Sequence, residues 1–326
     1  MKTICYIVPY FGKLPLNFQL WLLSCRFNPT IDWIIYTDDK RSFDYPSNVK
    51  VKYCSFNEMK SRIQSFYDFE VDLSRPWRLA LMKPAYGEIF QDDIKEYDFW
   101  GYCDIDMMWG DIRAFYTDDI LLKYERIGYQ GHSTLFPNNE KLNLQYRTII
   151  PGHTNYIDVF SGKRNFSWDE SGMNMIYTYF NKKSLEFRDV CFAHLDKYNK
   201  GFFVKYRPKE EDSHNNYQIF KWEAGKLMRY SLVNLDIIKE EMMYVHFWCR
   251  PMNFKVNDYS GGTPLYIYPD VMTDKQIGIS VSSLYKYGTR ARLRFMFDMF
   301  WKNKHKLTIM KIIKNINNMI NSYGKN

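Results

Sequence analysis

Tyr97-Asp98-Phe99-Trp100-Gly101-Tyr102-Cys103-Asp104-Ile105-Asp106 is the stretch on which the reading of this chain turns. An aromatic, apolar run from Phe99 to Cys103 stops at two carboxylates one residue apart. A short run of that bulk, bounded by charge, reads as a strand buried on both faces. Side chains two apart on a strand point to one side, so Asp104 and Asp106 are expected to face the same way beyond its carboxyl end. In open α/β sheets that is where ligands bind. Two ionised carboxylates so close repel each other and resist desolvation without a cation. Hard oxygen donors in an open site suit Mg²⁺ or Mn²⁺, shared with substrate phosphates. A bare Asp-x-Asp also occurs as a solvated acidic turn, but such turns seldom follow so bulky a run.

Upstream, strands and helices alternate. Thr3 to Val8 is a β-rich run ending at Pro9-Tyr10-Phe11-Gly12. Leu16 to Phe27 has helical spacing, Ile31 to Tyr36 is a second apolar run closing in Thr37-Asp38-Asp39, Val49 to Cys54 alternates, and Asn57 to Tyr67 suits a short helix. This rhythm argues for a parallel sheet with helices packed on it. The strand ends at Pro9, Tyr10, Thr37 and Asp38 would then share one edge, where a nucleotide could lie. Neither a Gly-x-Gly-x-x-Gly nor a P-loop fingerprint is present. The segment Trp77 to Phe90 reads as helix with a kink or new start at Lys83-Pro84. Arg78 or Lys83 could reach a phosphate beside the metal, or simply sit solvated on a helix face.

Downstream, Asp111 to Lys123 reads as helix and Arg126 to Gln130 as a short strand. Trp168-Asp169-Glu170 precedes a helical pattern from Met173 to Phe180; Asp169 serves there either as an N-cap or as a carboxylate acting on a sugar hydroxyl. Tyr217 to Tyr230 reads as a hairpin with a three-residue turn, Glu223-Ala224-Gly225. Met243 to Trp248 is an apolar run containing His246, either a core histidine or a ligand.

Composition sets the outer bounds. The 326 residues hold 46% hydrophobic and 18% aromatic side chains, enough for a large core. No run reaches the roughly 20 apolar residues that span a bilayer, and the start lacks the pattern of a signal peptide. Six scattered cysteines without a Cys-x-x-Cys pair fit reduced thiols in a cytosol. The net charge of +8 is concentrated from Leu284 to Asn326, where ten Lys or Arg face the single acid Asp298. The body is therefore near neutral and offers no nucleic-acid groove, and no RNP-like motif is present. In the tail, apolar residues recur at helical spacing among the cations, as in a basic amphipathic helix that lies on an anionic membrane or packs on the body.

The arrangement resembles GT-A-type nucleotide-sugar glycosyltransferases, in particular those of bacterial capsule and O-antigen biosynthesis, over roughly the first 260 residues. The likeness is carried by Ile7-Val8-Pro9-Tyr10-Phe11-Gly12, Thr37-Asp38-Asp39, Lys83-Pro84-Ala85-Tyr86-Gly87, the Phe99 to Asp106 stretch and Gly131-His132-Ser133-Thr134-Leu135-Phe136. It implies a Rossmann-like, mixed but mainly parallel sheet flanked by helices, with residues 1–283 as the catalytic domain. Within it, 1–130 would be the nucleotide-sugar half and 131–283 the acceptor half, followed by the basic tail 284–326. It also implies Asp104 and Asp106 as ligands of Mn²⁺ or Mg²⁺, with the first also touching the donor. His246 would be a late metal ligand in His246-Phe247-Trp248-Cys249-Arg250-Pro251, a spacing shorter than in glycogenin-like families. Lys83 and Arg250 are then candidate phosphate contacts, Asp169 or Glu170 the candidate base, and His132 and Trp168 candidate acceptor contacts. The implied reaction is hexosyl transfer from a nucleoside-diphosphate sugar, UDP-sugars first, to a lipid-linked or oligosaccharide acceptor at the cytoplasmic face of the cell membrane. Competing readings are a nucleotidyltransferase or phosphohydrolase, which usually needs more carboxylates and often two metals, and a non-catalytic carbohydrate-binding protein.

Overall fold

The computed structural model describes residues 1–185, 192–195, 217–233, 235–248 and 250–288. The first strands are β1 (Ile4–Pro9), β2 (Ile31–Thr37), β3 (Val49–Tyr53), β4 (Phe99–Cys103), β5 (Met107–Trp109), β6 (Arg126–Gln130), β7 (Ser133–Pro137) and β8 (Ser184–Leu185). They are followed by β9 (Phe192–His194), β10 (Gln218–Glu223), β11 (Lys226–Val233), β12 (Asp236–Met242) and β13 (Tyr244–His246). The last are β14 (Asn253–Lys255), β15 (Leu265–Tyr268) and β16 (Val271–Thr273).

Among the described residues the main sheet runs β3-β2-β1-β4-β7-β6-β8. Its first four strands are parallel, and β7 turns the direction by pairing antiparallel with β4. The mixed α/β architecture expected from the chain's rhythm is thus present. Alternation explains the apolar runs: Cys5, Ile7, Trp100 and Tyr102 enter the core on one face, while Ile4, Tyr6, Val8, Phe99 and Cys103 enter the core on the other. Gly101 has no side chain because none fits. A Cβ there would lie 2.3 Å from the carbonyl oxygen of Thr134 on β7. The division between residues 130 and 131 falls at the end of β6, where its connection to β7 begins, so strands from both sides of that division share this sheet.

A second sheet, β12-β11-β10-β15-β16-β14, and a small one, β5-β13-β9, complete the described strands. The hairpin β10–β11 forms where expected, but its turn has two residues: Glu223 pairs with Lys226, and Ala224 and Gly225 both have positive φ (47° and 83°). That is the primed turn whose twist matches the strands. Two expected helices are broken. Pro76–Ala85 is wound as 3-10 helix before the α-turn Tyr86–Ile89, and Asp111 to Lys123 splits into a 3-10 turn, Ile112–Ala114, and the helix Asp118–Lys123. The basic tail lies outside the described residues from 289 onward. No helix among the described residues is long and apolar enough to cross a membrane.

Candidate metal and donor site

Asp104 and Asp106 do not share a face through strand alternation. β4 ends at Cys103, and the pair occupies the bend before β5. What brings them together is the pairing of β5 with β13, in which Met107 stands opposite His246. The Phe247 amide donates to the Asp106 carbonyl (2.8 Å) and the Asp104 amide to the His132 carbonyl (3.0 Å), fixing both sides of the bend. His246 Nε2 consequently lies 3.1 Å from Asp106 Oδ1 and 3.6 Å from Asp104 Oδ2. One ligand atom from each of the three residues falls within 4.8 Å of the others. The carboxylates keep about a third of their surface (32% and 33%), while His246 is buried. Two hard oxygens and one borderline nitrogen, open on one side, fit Mn²⁺ or Mg²⁺ with positions left for other ligands. Burial pulls the His246 pKa down, but the charge of Asp106, its hydrogen bond and Asp104 outweigh this and leave it raised.

Lys83 is the buried cation of the site. The 3-10 winding before Pro84 aims its Nζ at Asp104 Oδ1 (2.6 Å) and the Gly131 carbonyl (2.8 Å). Burial opposes its charge, yet Asp104 and Asp169 raise its pKa overall. Gly131 is a junction. Its carbonyl takes Lys83, its amide donates to Glu170 Oε1 (3.0 Å), and a Cβ on it would meet Asp169 Oδ2 at 2.1 Å. A side chain at 131 would push the Asp169 carboxylate from its place, so glycine lets the Trp168–Gly172 turn sit close on the β6–β7 loop. Asp169 accepts from Ser167 Oγ (2.9 Å), and its pKa is pushed up to about 6, first by burial and further by Glu170 and Asp104, against the pull of Lys83. Asp169 lies inside the Trp168–Gly172 turn, and Gly172 precedes the helix that follows, so Asp169 is no N-cap.

The other expected donor residues lie at the carboxyl ends of β1 and β2, beside that of β4. Asp38 Oδ1 accepts the amide of Gly12 (2.7 Å), whose φ of +92° needs glycine. Asp39 Oδ2 accepts the amide of Leu14 (2.8 Å), and the buried Thr37 hydroxyl accepts that of Asp39 (3.1 Å). The Tyr10 amide donates to the Tyr36 carbonyl (2.8 Å), following Pro9. These bonds draw the two loops together into one rim.

Other expectations need correcting. His132 and Trp168 are buried (2% and 0% exposed), the first packed against His246, the second in the core with its ring over Gly172, so neither presents a side chain to an acceptor. Arg78 is held by the carbonyls of Asp72 (2.6 Å) and Val159 (2.9 Å) and by the Asp72 carboxylate (3.1 Å), a structural tie rather than the solvated helix-face position expected. Arg250 is buried and its Nε donates to the Pro269 carbonyl, a structural tie that competes with a phosphate contact. His194 escaped the sequence reading altogether: it stands beside His246 on β9, and nothing in Phe192-Ala193-His194 marks it.

The fold and site together define an α/β protein with a carboxylate–imidazole cluster at the carboxyl edge of its parallel strands. The chain belongs to a family of unknown function, DUF6625, whose model matches residues 6–276. A search of curated proteins found no match. Among solved structures, the chain is similar to the glycosyltransferase GlyE of Streptococcus pneumoniae TIGR4, at 11% identity and a TM-score of 0.36. The apo form of GlyE gives 13% and 0.37. Both likenesses cover 93% of this chain and 64% of the GlyE chain, so the chain spans just under two thirds of its length. The functional reading rests on the side chains.

Proposed function

We propose that the protein is a metal-dependent glycosyltransferase that uses a nucleoside-diphosphate sugar, UDP-sugars first, and extends a bacterial surface glycan. The observation that carries this reading is the convergence of Asp104, Asp106 and His246 Nε2 at the edge where β1, β2 and β4 end. Asp104, Asp106 and His246 would hold Mn²⁺ or Mg²⁺, which when bound offsets the charge of a leaving diphosphate. Lys83, beside Asp104, adds a fixed positive charge in a partly water-excluded place. The rim built by Pro9, Tyr10, Thr37 and Asp38 is where the nucleoside would lie.

Asp169 is the residue we assign to proton removal. An acceptor hydroxyl oxygen attacks the anomeric carbon, the bond to the diphosphate oxygen breaks, and the hydroxyl proton passes to the Asp169 carboxylate. A pKa near 6 leaves that carboxylate ionised at neutral pH yet basic enough to accept a proton. Glu170 positions the loop through the Gly131 amide instead. Burial of His132 and Trp168 leaves the acceptor contacts to other residues. The cationic tail would keep the enzyme on the cytoplasmic face of an anionic membrane, near a lipid-linked acceptor.

The test is thermal unfolding with a panel of UDP-, GDP- and CDP-sugars with and without Mn²⁺, followed by assay of slow donor hydrolysis. Mn²⁺-dependent stabilisation by one nucleotide-sugar class, lost in Asp106→Ala with the fold intact, is the expected result. Equal response to plain nucleotides and hydrolysis of simple phosphoesters would move the protein to the phosphoester enzymes.

A further inference from the structure

We propose that His194 is a positioning residue that sets the tautomer of His246 and so prepares its Nε2 as a metal ligand. This rests on the reading of Asp104, Asp106 and His246 as a cation site. The two rings meet nitrogen to nitrogen: His246 Nδ1 lies 3.0 Å from His194 Nδ1. At that distance the nitrogens share one proton, with one donating and the other accepting. His246 Nε2 faces the carboxylates, 3.1 Å from Asp106 Oδ1. To bind a cation there it must offer its lone pair, so the proton of the neutral ring has to sit on Nδ1. His194 Nδ1 is then the acceptor, and the proton of His194 sits on its own Nε2.

Sheet register builds this contact. β13 and β9 are parallel neighbours, with His246 directly opposite His194. The rings cannot easily rotate out of it. His132 lies against both, 4.5 Å from the His246 ring and 5.1 Å from the His194 ring between centroids, and its own Nδ1 is 3.0 Å from the Tyr244 hydroxyl. All three histidines are at most 4% exposed. His132, His194 and His246 also bring a nitrogen each within 4.8 Å of one another, which raises the alternative of a second metal held by three imidazoles. The hydrogen bonds argue against it. His246 meets His194 through Nδ1 and Asp106 through Nε2, so both of its nitrogens are already engaged. A cation among the three rings would have to break one of those two contacts. The cluster holds His246 in place, and its Nε2 contacts the carboxylates of Asp106 and Asp104.

The experiment measures Mn²⁺ binding by the full chain through the electron paramagnetic resonance signal of free Mn²⁺. His194→Asn keeps an acceptor oxygen close to where Nδ1 stands, whereas His194→Gln carries it further out. His194→Leu removes it. Loss of a partner that orients a ligating histidine typically weakens metal affinity 10–100-fold. His194→Leu and His194→Gln are expected to show that loss, with His194→Asn within a few-fold of wild type. Thermal unfolding in EDTA, read alongside, checks that the Asn and Gln variants are equally folded. Wild-type binding that is abolished by Asp106→Ala but unchanged in both the Leu and Gln variants would overturn the role of His194 alone. Equal losses in Asn and Gln would overturn the tautomer argument. Absence of Mn²⁺ binding by the wild type would overturn the metal site and this inference with it.

Discussion

Replacing Asp169 by Asn should stabilise the metal-free protein at neutral pH and leave it unchanged in acid. The pKa of Asp169 rises to about 6 in the folded chain, with burial the first cause. Below about pH 4 the carboxyl is protonated in both states and carries no penalty. Between about pH 4 and 6 the folded state holds a proton that the unfolded state has released, so stability falls as pH rises. Above about pH 6 the full cost of a buried charge is present, and the difference of roughly two pKa units is worth at most about 3 kcal/mol. That figure is an upper bound because the carboxyl keeps some solvent contact. Asn cannot ionise and can still accept from the Ser167 hydroxyl, so the gap in stability between variant and wild type isolates this one group. Urea unfolding in EDTA at about pH 4 and about pH 7.5 measures it. The gap should be near zero at the lower pH and open in favour of Asn at the higher. The same substitution should remove sugar transfer. A gap that is independent of pH, or a variant less stable at about pH 7.5, would refute the account of a strained, ionised base.

Three further outcomes are expected. Lys83→Met should bind Mn²⁺ several-fold more tightly in titrations, because the ammonium 2.6 Å from Asp104 Oδ1 competes for that carboxylate, while turnover falls with the loss of its charge. Unchanged affinity would mean that Asp104 is not a ligand. Gly131→Ala should cost about 1–3 kcal/mol in urea unfolding, since its Cβ would stand 2.1 Å from Asp169 Oδ2, and Asp169→Ala in the same chain should recover much of the loss. Removing residues 293–326 should release the protein from vesicles rich in anionic lipid; retained sedimentation with the vesicles would place the contact elsewhere.

The parallel half of the main sheet was legible because β1, β2 and β4 are buried on both faces, and such strands write themselves as unbroken apolar runs. β7 was not, since Ser133 and Thr134 at its start look like a loop although both are buried. The closeness of Asp104 and Asp106 is expected from the sequence for a partly mistaken reason. Strand alternation was expected to align the carboxylates, whereas a bend does so, held by the pairing of β5 with a strand that lies far along the chain. His246 and Lys83 could be named because each carries a distinctive neighbourhood in sequence. His194 could not. Its meaning comes from lying opposite His246, 52 residues away, and no local pattern encodes that register. His132 and Trp168 misled in the opposite direction: side-chain types common in sugar sites were read as contacts, and tertiary packing used them as supports.

The placement of Gly131 ties these parts into one device. A chain that only needed a stable β6–β7 turn would tolerate a side chain there, and would not bring Asp169 against it and Lys83 onto its carbonyl. The close approach instead sets a carboxylate, an ammonium and the Asp104–Asp106 bend in one contiguous run, with Asp169 and Asp104 both acting on the charge of Lys83. Among the described residues, four acids, Asp104, Asp106, Asp169 and Glu170, are assembled around Lys83 and His246. Carboxylates brought together in a partly buried place repel one another, and that repulsion opposes folding unless cations offset it. A divalent cation held as proposed above would offset that repulsion. It follows that the pH-dependent instability predicted at Asp169 and the cation affinity predicted at Asp104 and Asp106 are two readings of the same repulsion.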